Sequence, residues 1–195
     1  MAIFGYAGTD TDDYFGPNNL IIGGYFQMGA TGGTGDSITT YFYSSGDEHV
    51  KCALYKADKS LVANGVTEER IIPAQAVTWT TFNFVGTKPT LVANAWYYIQ
   101  IWAGAVASVR QYVKTSAGYG AYTQSKVYDG FPDPANPVAY NASWKVDIYC
   151  TYTEAGGAAG TLSLFMGMGT GIQTKTKGGS LPKVGPGHKP SKIGF

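Results

Sequence analysis

Charge is scarce in this chain: Asp, Glu, Lys and Arg supply 14% of its 195 residues, against roughly 25% in ordinary soluble domains. It also lacks any long run of Ala, Leu, Glu and Lys, and with that goes the local preference for helices. No stretch approaches the roughly 20 apolar residues of a membrane span, so no membrane partner is expected. Histidine occurs twice, at His49 and His188, and cysteine twice, too few to suggest a zinc site. No Gly-x-Ser-x-Gly or paired-carboxylate context is visible, and His49 beside Asp47 and Glu48 has no nucleophile motif near it. That segment reads as a polar turn, and the chain reads as no enzyme.

What is abundant points to β-structure. The chain holds 15 Tyr, 9 Phe and 4 Trp with many Thr and Val, 27 Gly, and 44% hydrophobic residues overall, enough for one domain with a substantial core. The net charge of +1 hides an asymmetry. Residues 155–195 carry five lysines and no acid, so the first 154 residues carry −4 (+1 less +5). Five spaced lysines without arginine make nucleic acid an unlikely partner.

The organising stretch is Trp144–Thr153, where Val146, Ile148, Cys150 and Tyr152 alternate with Lys145, Asp147, Tyr149 and Thr151. Period-two alternation predicts a strand with one face on a core and one in water. Residues 19–28, 37–43, the segment around Cys52, 77–84, 96–102 and 108–113 predict further strands. Gly23-Gly24 marks a bulge or a close backbone approach. Trp96–Trp102 is almost continuously apolar, which predicts a strand covered on both sides or one carrying an aromatic outer face, with 108–113 pairing nearby. From Lys114 to Asn141 a long loop is expected, because Phe131-Pro-Asp-Pro-Ala-Asn-Pro137 lacks the N–H donors a ladder needs.

These elements predict an all-β, jelly-roll or Greek-key β-sandwich over residues 19–154. Residues 1–18 form an N-terminal arm or edge strand, and 155–195 a Gly/Lys-rich extension with a strand at 161–166. That strand, with Leu162, Leu164 and Phe165, either adds to the sheet edge of another subunit or completes its own domain.

Cys52 shares a face with Val50 and Leu54, and Cys150 with Ile148 and Tyr152, so both point to the core. They are either bridged or two buried thiols. Asp10, Asp12 and Asp13 cluster in one loop, with Asp36, Asp47 and Glu48 in others, and either bind calcium or are solvated turn acids. The Asp10-Thr-Asp-Asp13 spacing lacks the glycine and terminal glutamate of an EF-hand loop.

Phe4-Gly5, Gly24-Tyr-Phe26, Ser37-Ile38, Ala53-Leu-Tyr55, Trp79-Thr-Thr-Phe82, Trp96-Tyr97, Phe131-Pro-Asp-Pro134 and Asp147-Ile-Tyr-Cys-Thr-Tyr152 occur in that order. Together they resemble a jelly-roll-like β-sandwich domain that recurs in virion structural proteins of phages and archaeal viruses and in some microbial surface proteins. The resemblance covers residues 4–153 and brings no catalytic residues with it. It implies a non-enzymatic structural protein of a phage or viral particle, of head-decoration or fibre type, self-associating or assembled with other capsid or fibre subunits. The implied location is the virion, after synthesis in the host cytoplasm, since Met1-Ala-Ile-Phe4 lacks the character of a secretory signal.

The alternative is a carbohydrate-binding or adhesion module at a cell surface, with surface glycans as partners. Its candidates are Trp79, Trp102, Tyr112 and Tyr119, then Trp96, Tyr41 and Tyr43, since exposed rings stack on sugar faces. Each ring has an equally simple reading as core or cross-strand packing. Asn141-Ala-Ser143 is a glycosylation sequon with meaning only in an exported chain.

Overall fold

A computed structural model describes residues 1–9, 13–117 and 120–156. The first strands are β1 (Ala2–Gly5), β2 (Asp13–Phe15), β3 (Leu20–Gln27), β4 (Gly33–Ser44) and β5 (Glu48–Lys56). Then come β6 (Leu61–Val66), β7 (Arg70–Ile72), β8 (Gln75–Asn83), β9 (Thr90–Leu91) and β10 (Trp96–Ala103). The last are β11 (Val109–Thr115), β12 (Ala121–Ser125), β13 (Val138–Asn141), β14 (Trp144–Val146) and β15 (Ile148–Glu154). Among the described residues there is no helix, and none therefore long and apolar enough to cross a membrane.

The strands form two antiparallel sheets, one of eight and one of seven, packed face to face as a β-sandwich. Many successive strands change sheet. In the eight-stranded sheet the long β4 is central, because Thr40 pairs with both Ile148 and Thr80, and Phe42 with both Gln111 and Thr78. The seven-stranded sheet runs β13-β12-β3-β10-β5-β6, with β7 beside the start of β5. The core between them is filled by alternate residues of both, among them Ile22, Leu54, Ile99 and Ile101 facing Ile38, Phe42, Phe82 and Ile148, all fully buried.

The predicted 144–153 strand exists with its inward set correct, since Val146, Ile148, Cys150 and Tyr152 are all buried. It is divided at Asp147. Before that residue β14 pairs with β11, and after it β15 pairs with β4. The cause is that β4 and β11 pair only over Val109–Gln111 and leave room beyond for a third strand to wedge in. Asp147, predicted on the solvent face, is fully buried where the three strands meet.

Residues 1–18 take the edge-strand form of their expectation: β1 pairs with β15, β2 with β11, and Phe4 and Phe15 enter the core. Gly23 makes the expected close approach, because a methyl there would run into the Ile99 carbonyl oxygen of β10. The strand at 108–113, expected beside β10, lies in the other sheet as β11.

The expected loop from Lys114 to Asn141 is interrupted by strands: it contains the end of β11 and the whole of β12 and β13, and its long irregular part among the described residues is 126–137. This proline-rich strap crosses the outer face of the seven-stranded sheet. Tyr55 Oη donates to the Pro132 carbonyl at 3.0 Å, Leu61 N to Asp133 Oδ1 at 2.9 Å, and Ala135 N to the Lys59 carbonyl at 3.0 Å. The strap gives β10 cover on both sides, one of its two expected forms, and the β10 residues from Tyr97 to Ala103 are all buried.

Candidate functional site

The outer face of the eight-stranded sheet carries a row of aromatic side chains that the pleat alone accounts for. Strand β4 turns Ile38, Thr40 and Phe42 inward and so Thr39, Tyr41 and Tyr43 outward; β8 buries Thr80 and Phe82 and presents Trp79 and Thr81. Strand β11 buries Val109, Gln111 and Val113 and presents Arg110 and Tyr112, while β2 buries Phe15 and presents Tyr14. Register then sets Tyr41 directly opposite Trp79, Tyr112 opposite Tyr14, and Arg110 opposite Tyr43.

Five rings follow one another across five strands. Tyr14 lies 6.1 Å from Tyr112, Tyr112 6.1 Å from Tyr41, Tyr41 5.2 Å from Trp79, and Trp79 5.2 Å from Tyr149, centroid to centroid. These separations are those of favourable aromatic pairs. The rings are tilted to one another by 43–58°, so each keeps part of a face or edge toward solvent. Tyr14 is 46% exposed, and Tyr41, Trp79, Tyr112 and Tyr149 are half-buried.

Beside the rings stand short hydroxyl side chains. Thr39 and Thr81 share a 2.9 Å hydrogen bond, and Ser37 faces Thr151 and Asn83 across the ladder. The Arg110 guanidinium sits 4.6 Å from the Tyr14 centroid and 5.6 Å from that of Tyr43, and no carboxylate among the described residues pairs with it. Asp36, toward the other end of the sheet, is engaged by Lys88 Nζ at 2.6 Å and Thr153 Oγ1 at 2.8 Å. The hydrogen bond from Lys88, against a smaller opposing effect of burial and with help from Thr153, holds its carboxyl below the usual range. Chemically, the face offers rings for stacking, the hydroxyls of Thr81 and Thr151 for hydrogen bonding, and cations at Arg110, Lys114 and Lys145.

Two of the predicted sugar-stacking residues, Trp79 and Tyr112, are thus brought together with Tyr41 between them. Trp102 is not. It lies on the opposite sheet and is fully buried, with Tyr128 and Phe131 of the strap 5.0 and 5.2 Å away and Lys51 Nζ 5.2 Å from its ring. Its expected exposure is corrected by the strap, which no local pattern announces. Trp96 is 43% exposed and stacks 4.9 Å from Tyr25 in a smaller patch on the seven-stranded sheet. Near it, Val62, Val92, Ala95 and Tyr97 line an open groove of about 420 Å³.

Tyr119, Asp10, Asp12, Leu162, Leu164, Phe165 and the 161–166 strand lie outside the described residues, as does the side chain of Asp13. Among the described residues no three His, Cys, Asp or Glu side chains gather as a metal-binding group. Glu48, counted with the turn acids, is fully buried. Its carboxylate accepts from the backbone N–H groups of His49, Val106 and Ala107 at 2.9, 2.7 and 2.6 Å. Cys52 and Cys150 are buried free thiols on β5 and β15, one in each sheet. Burial pushes both thiols well up from their usual value.

Sequence reasoning missed Tyr14, Tyr149 and Arg110 as members of the site. Tyr149 and Arg110 each alternate with core residues in the chain, so the signal for an outward position was present. Nothing local tells that their strands are neighbours. No protein-family model matches this sequence, and no curated protein matches it.

Proposed function

We propose that this chain is a non-enzymatic structural protein of a phage or viral particle, of the head-decoration or fibre type, assembling through its jelly-roll-like β-sandwich and its terminal extensions. The observation that carries the proposal is the state of the sheet edges. At the edge of the seven-stranded sheet β13 pairs with β12 alone among the described residues, and its Val138 and Tyr140 are each 57% exposed. At the edge of the eight-stranded sheet β1 pairs with β15 alone among them, and Ile3 is 53% exposed. Proteins that work as monomers blunt such edges with charge, proline or cover. Edges left apolar suit strand-to-strand contact with further subunits.

The titratable groups support the non-enzymatic part, because those best placed to do chemistry are spent on the fold. Glu48 is held by three backbone donors, Asp36 by Lys88 and Thr153, and both thiols are buried. The test is mass spectrometry of purified particles, together with light scattering of the full chain, of a chain stopped after Glu154, and of Val138→Lys. Presence in particles, and discrete oligomers that Val138→Lys or the truncation dissolves, is the expected result. Absence from particles, with all three proteins monomeric, overturns the proposal.

A second reading, a carbohydrate-binding or adhesion module, is favoured by the aromatic row on the eight-stranded sheet. The two readings are compatible, since a fibre subunit can touch a glycan. Retention on a glycan array that Trp79→Ala abolishes is its expected result, and a blank array rejects it.

A further inference from the structure

We infer that the outer face of the eight-stranded sheet binds an acidic glycan chain, with Trp79, Tyr41 and Tyr112 stacking on sugar faces and Arg110 taking a sugar carboxylate. This rests on the carbohydrate-binding reading and adds the class of ligand and its polarity along the face. Three observations carry it.

The first is the composition of the face. The side chains flanking the rings are Ser37, Thr39, Thr81 and Thr151, of which Thr81 and Thr151 reach solvent, not the Leu, Ile or Met that would fill pockets in a protein partner. Hydroxyls beside aromatic faces match a ligand that alternates C–H faces with O–H groups. The second is Arg110. It is exposed, lies 4.6 Å from the Tyr14 ring centroid and 5.6 Å from that of Tyr43 in cation–π contact, and has no carboxylate partner among the described residues. A guanidinium fork fixed in this way is set to engage a carboxylate through two parallel hydrogen bonds.

The third is where the charges lie. Asp36 is engaged by Lys88 and Thr153, and Glu68 Oε1 accepts from Asn83 N and Nδ2 at 3.0 Å each, so both acids are tied up away from Arg110. Among the described residues Arg110 is the cation set against the row itself, beside Tyr14 and Tyr43. A single-stranded nucleic acid would also stack on rings, but it needs a basic groove along its backbone. Arg110, Lys114 and Lys145, on a chain whose first 154 residues carry −4 (+1 less the +5 of the tail), do not make a continuous one.

The experiment uses the full-length chain on an array pairing uronate- and sialate-bearing glycans with their methyl esters, plus neutral glycans and poly(dT). Variants are Trp79→Ala, Arg110→Gln and Arg110→Lys, each checked for unchanged thermal unfolding. The wild type is expected to bind an acidic glycan about tenfold or more tighter than its ester. Arg110→Gln should lower acid binding to the ester's level without changing the ester, Arg110→Lys should fall between, and Trp79→Ala should weaken both. Equal binding of acid and ester, lost in Trp79→Ala and indifferent to Arg110→Gln, overturns this inference and leaves the carbohydrate reading standing. A blank array overturns both. Retention on poly(dT) alone assigns the row to nucleic acid and overturns both as well.

Discussion

Thr40 Oγ1 donates a 2.6 Å hydrogen bond to Gln111 Oε1 inside the eight-stranded sheet, and both residues are fully buried. The Gln111 amide nitrogen in turn donates toward the carbonyls of Tyr41, Tyr112 and Asp147 at 3.2, 3.2 and 3.1 Å. These five residues stand where β4, β11 and the β14–β15 chain meet and the ladder changes partner. A satisfied glutamine there replaces the backbone donors that the wedge of strands leaves out.

Gln111→Met should therefore destabilise the domain by about 1–3 kcal/mol, because it takes the amide donor from three carbonyls and leaves the buried Thr40 hydroxyl only its longer 3.3 Å bond to the Asp147 carbonyl. Gln100 is the natural control. It is fully buried on β10, and its amide oxygen and nitrogen have no hydrogen-bond partner among the described residues. Gln100→Met should be neutral or stabilising. Urea unfolding of the two variants checks the contrast, and equal losses from both would contradict it.

The two tryptophans once weighed as equals should separate sharply. Trp102→Ala empties a buried site beneath the strap and should cost about 3–5 kcal/mol. Trp79→Ala removes a half-buried cross-strand partner of Tyr41 and should cost about 1 kcal/mol or less. Chemical denaturation measures both, and a Trp79 loss as large as that of Trp102 would mean the row is core and not surface.

Neither cysteine should react in the folded protein. With both thiols buried and pushed up by burial, a thiol reagent at pH 8 should label none until denaturant is added, and then both. The intact mass before and after reduction should be identical. A difference of one hydrogen pair would reveal a bridge.

Acid should weaken the fold through two carboxylates. Asp36 is depressed by the hydrogen bond from Lys88. For Glu69, burial acts to raise the pKa but is outweighed by hydrogen bonds from His49 and Tyr128 and by the charge of Lys51. A carboxyl depressed in the folded state contributes stability that is present above its unfolded pKa and lost as pH falls through its folded pKa. Unfolding temperature should thus hold steady at neutral pH and drop below about pH 4. Lys88→Met and His49→Phe should each flatten the drop, and an unchanged acid limb in both would exclude these pairs as its source.

Glu48 anchors the turn after β10 to the start of β5, and it accepts from three backbone N–H groups. Gly104 packs so close to this carboxylate that an added methyl would collide with Glu48 Oε1. Glu48→Ala should cost about 1.5–3 kcal/mol, the worth of hydrogen bonds to a charged group, and Gly104→Ala should destabilise too. Hydrogen exchange at the amides of Val106 and Ala107 reads the local effect in either variant.

What the sequence by itself determined is local and periodic. The inward set Val146, Ile148, Cys150 and Tyr152 and the absence of a strand across the proline run 131–137 follow from side-chain alternation and from proline's missing donor, properties of neighbours in the chain. What only the tertiary structure decided is which outward residues meet water and which meet each other. Trp79, between threonines, faces solvent, while Trp102 lies under a strap that arrives from residues 126–137. The row from Tyr14 through Tyr112, Tyr41 and Trp79 to Tyr149 draws on five strands scattered over most of the domain. Pairing between distant strands depends on the whole set of competing partners and on loop closure, so the row came into being only when the sheets closed on their core.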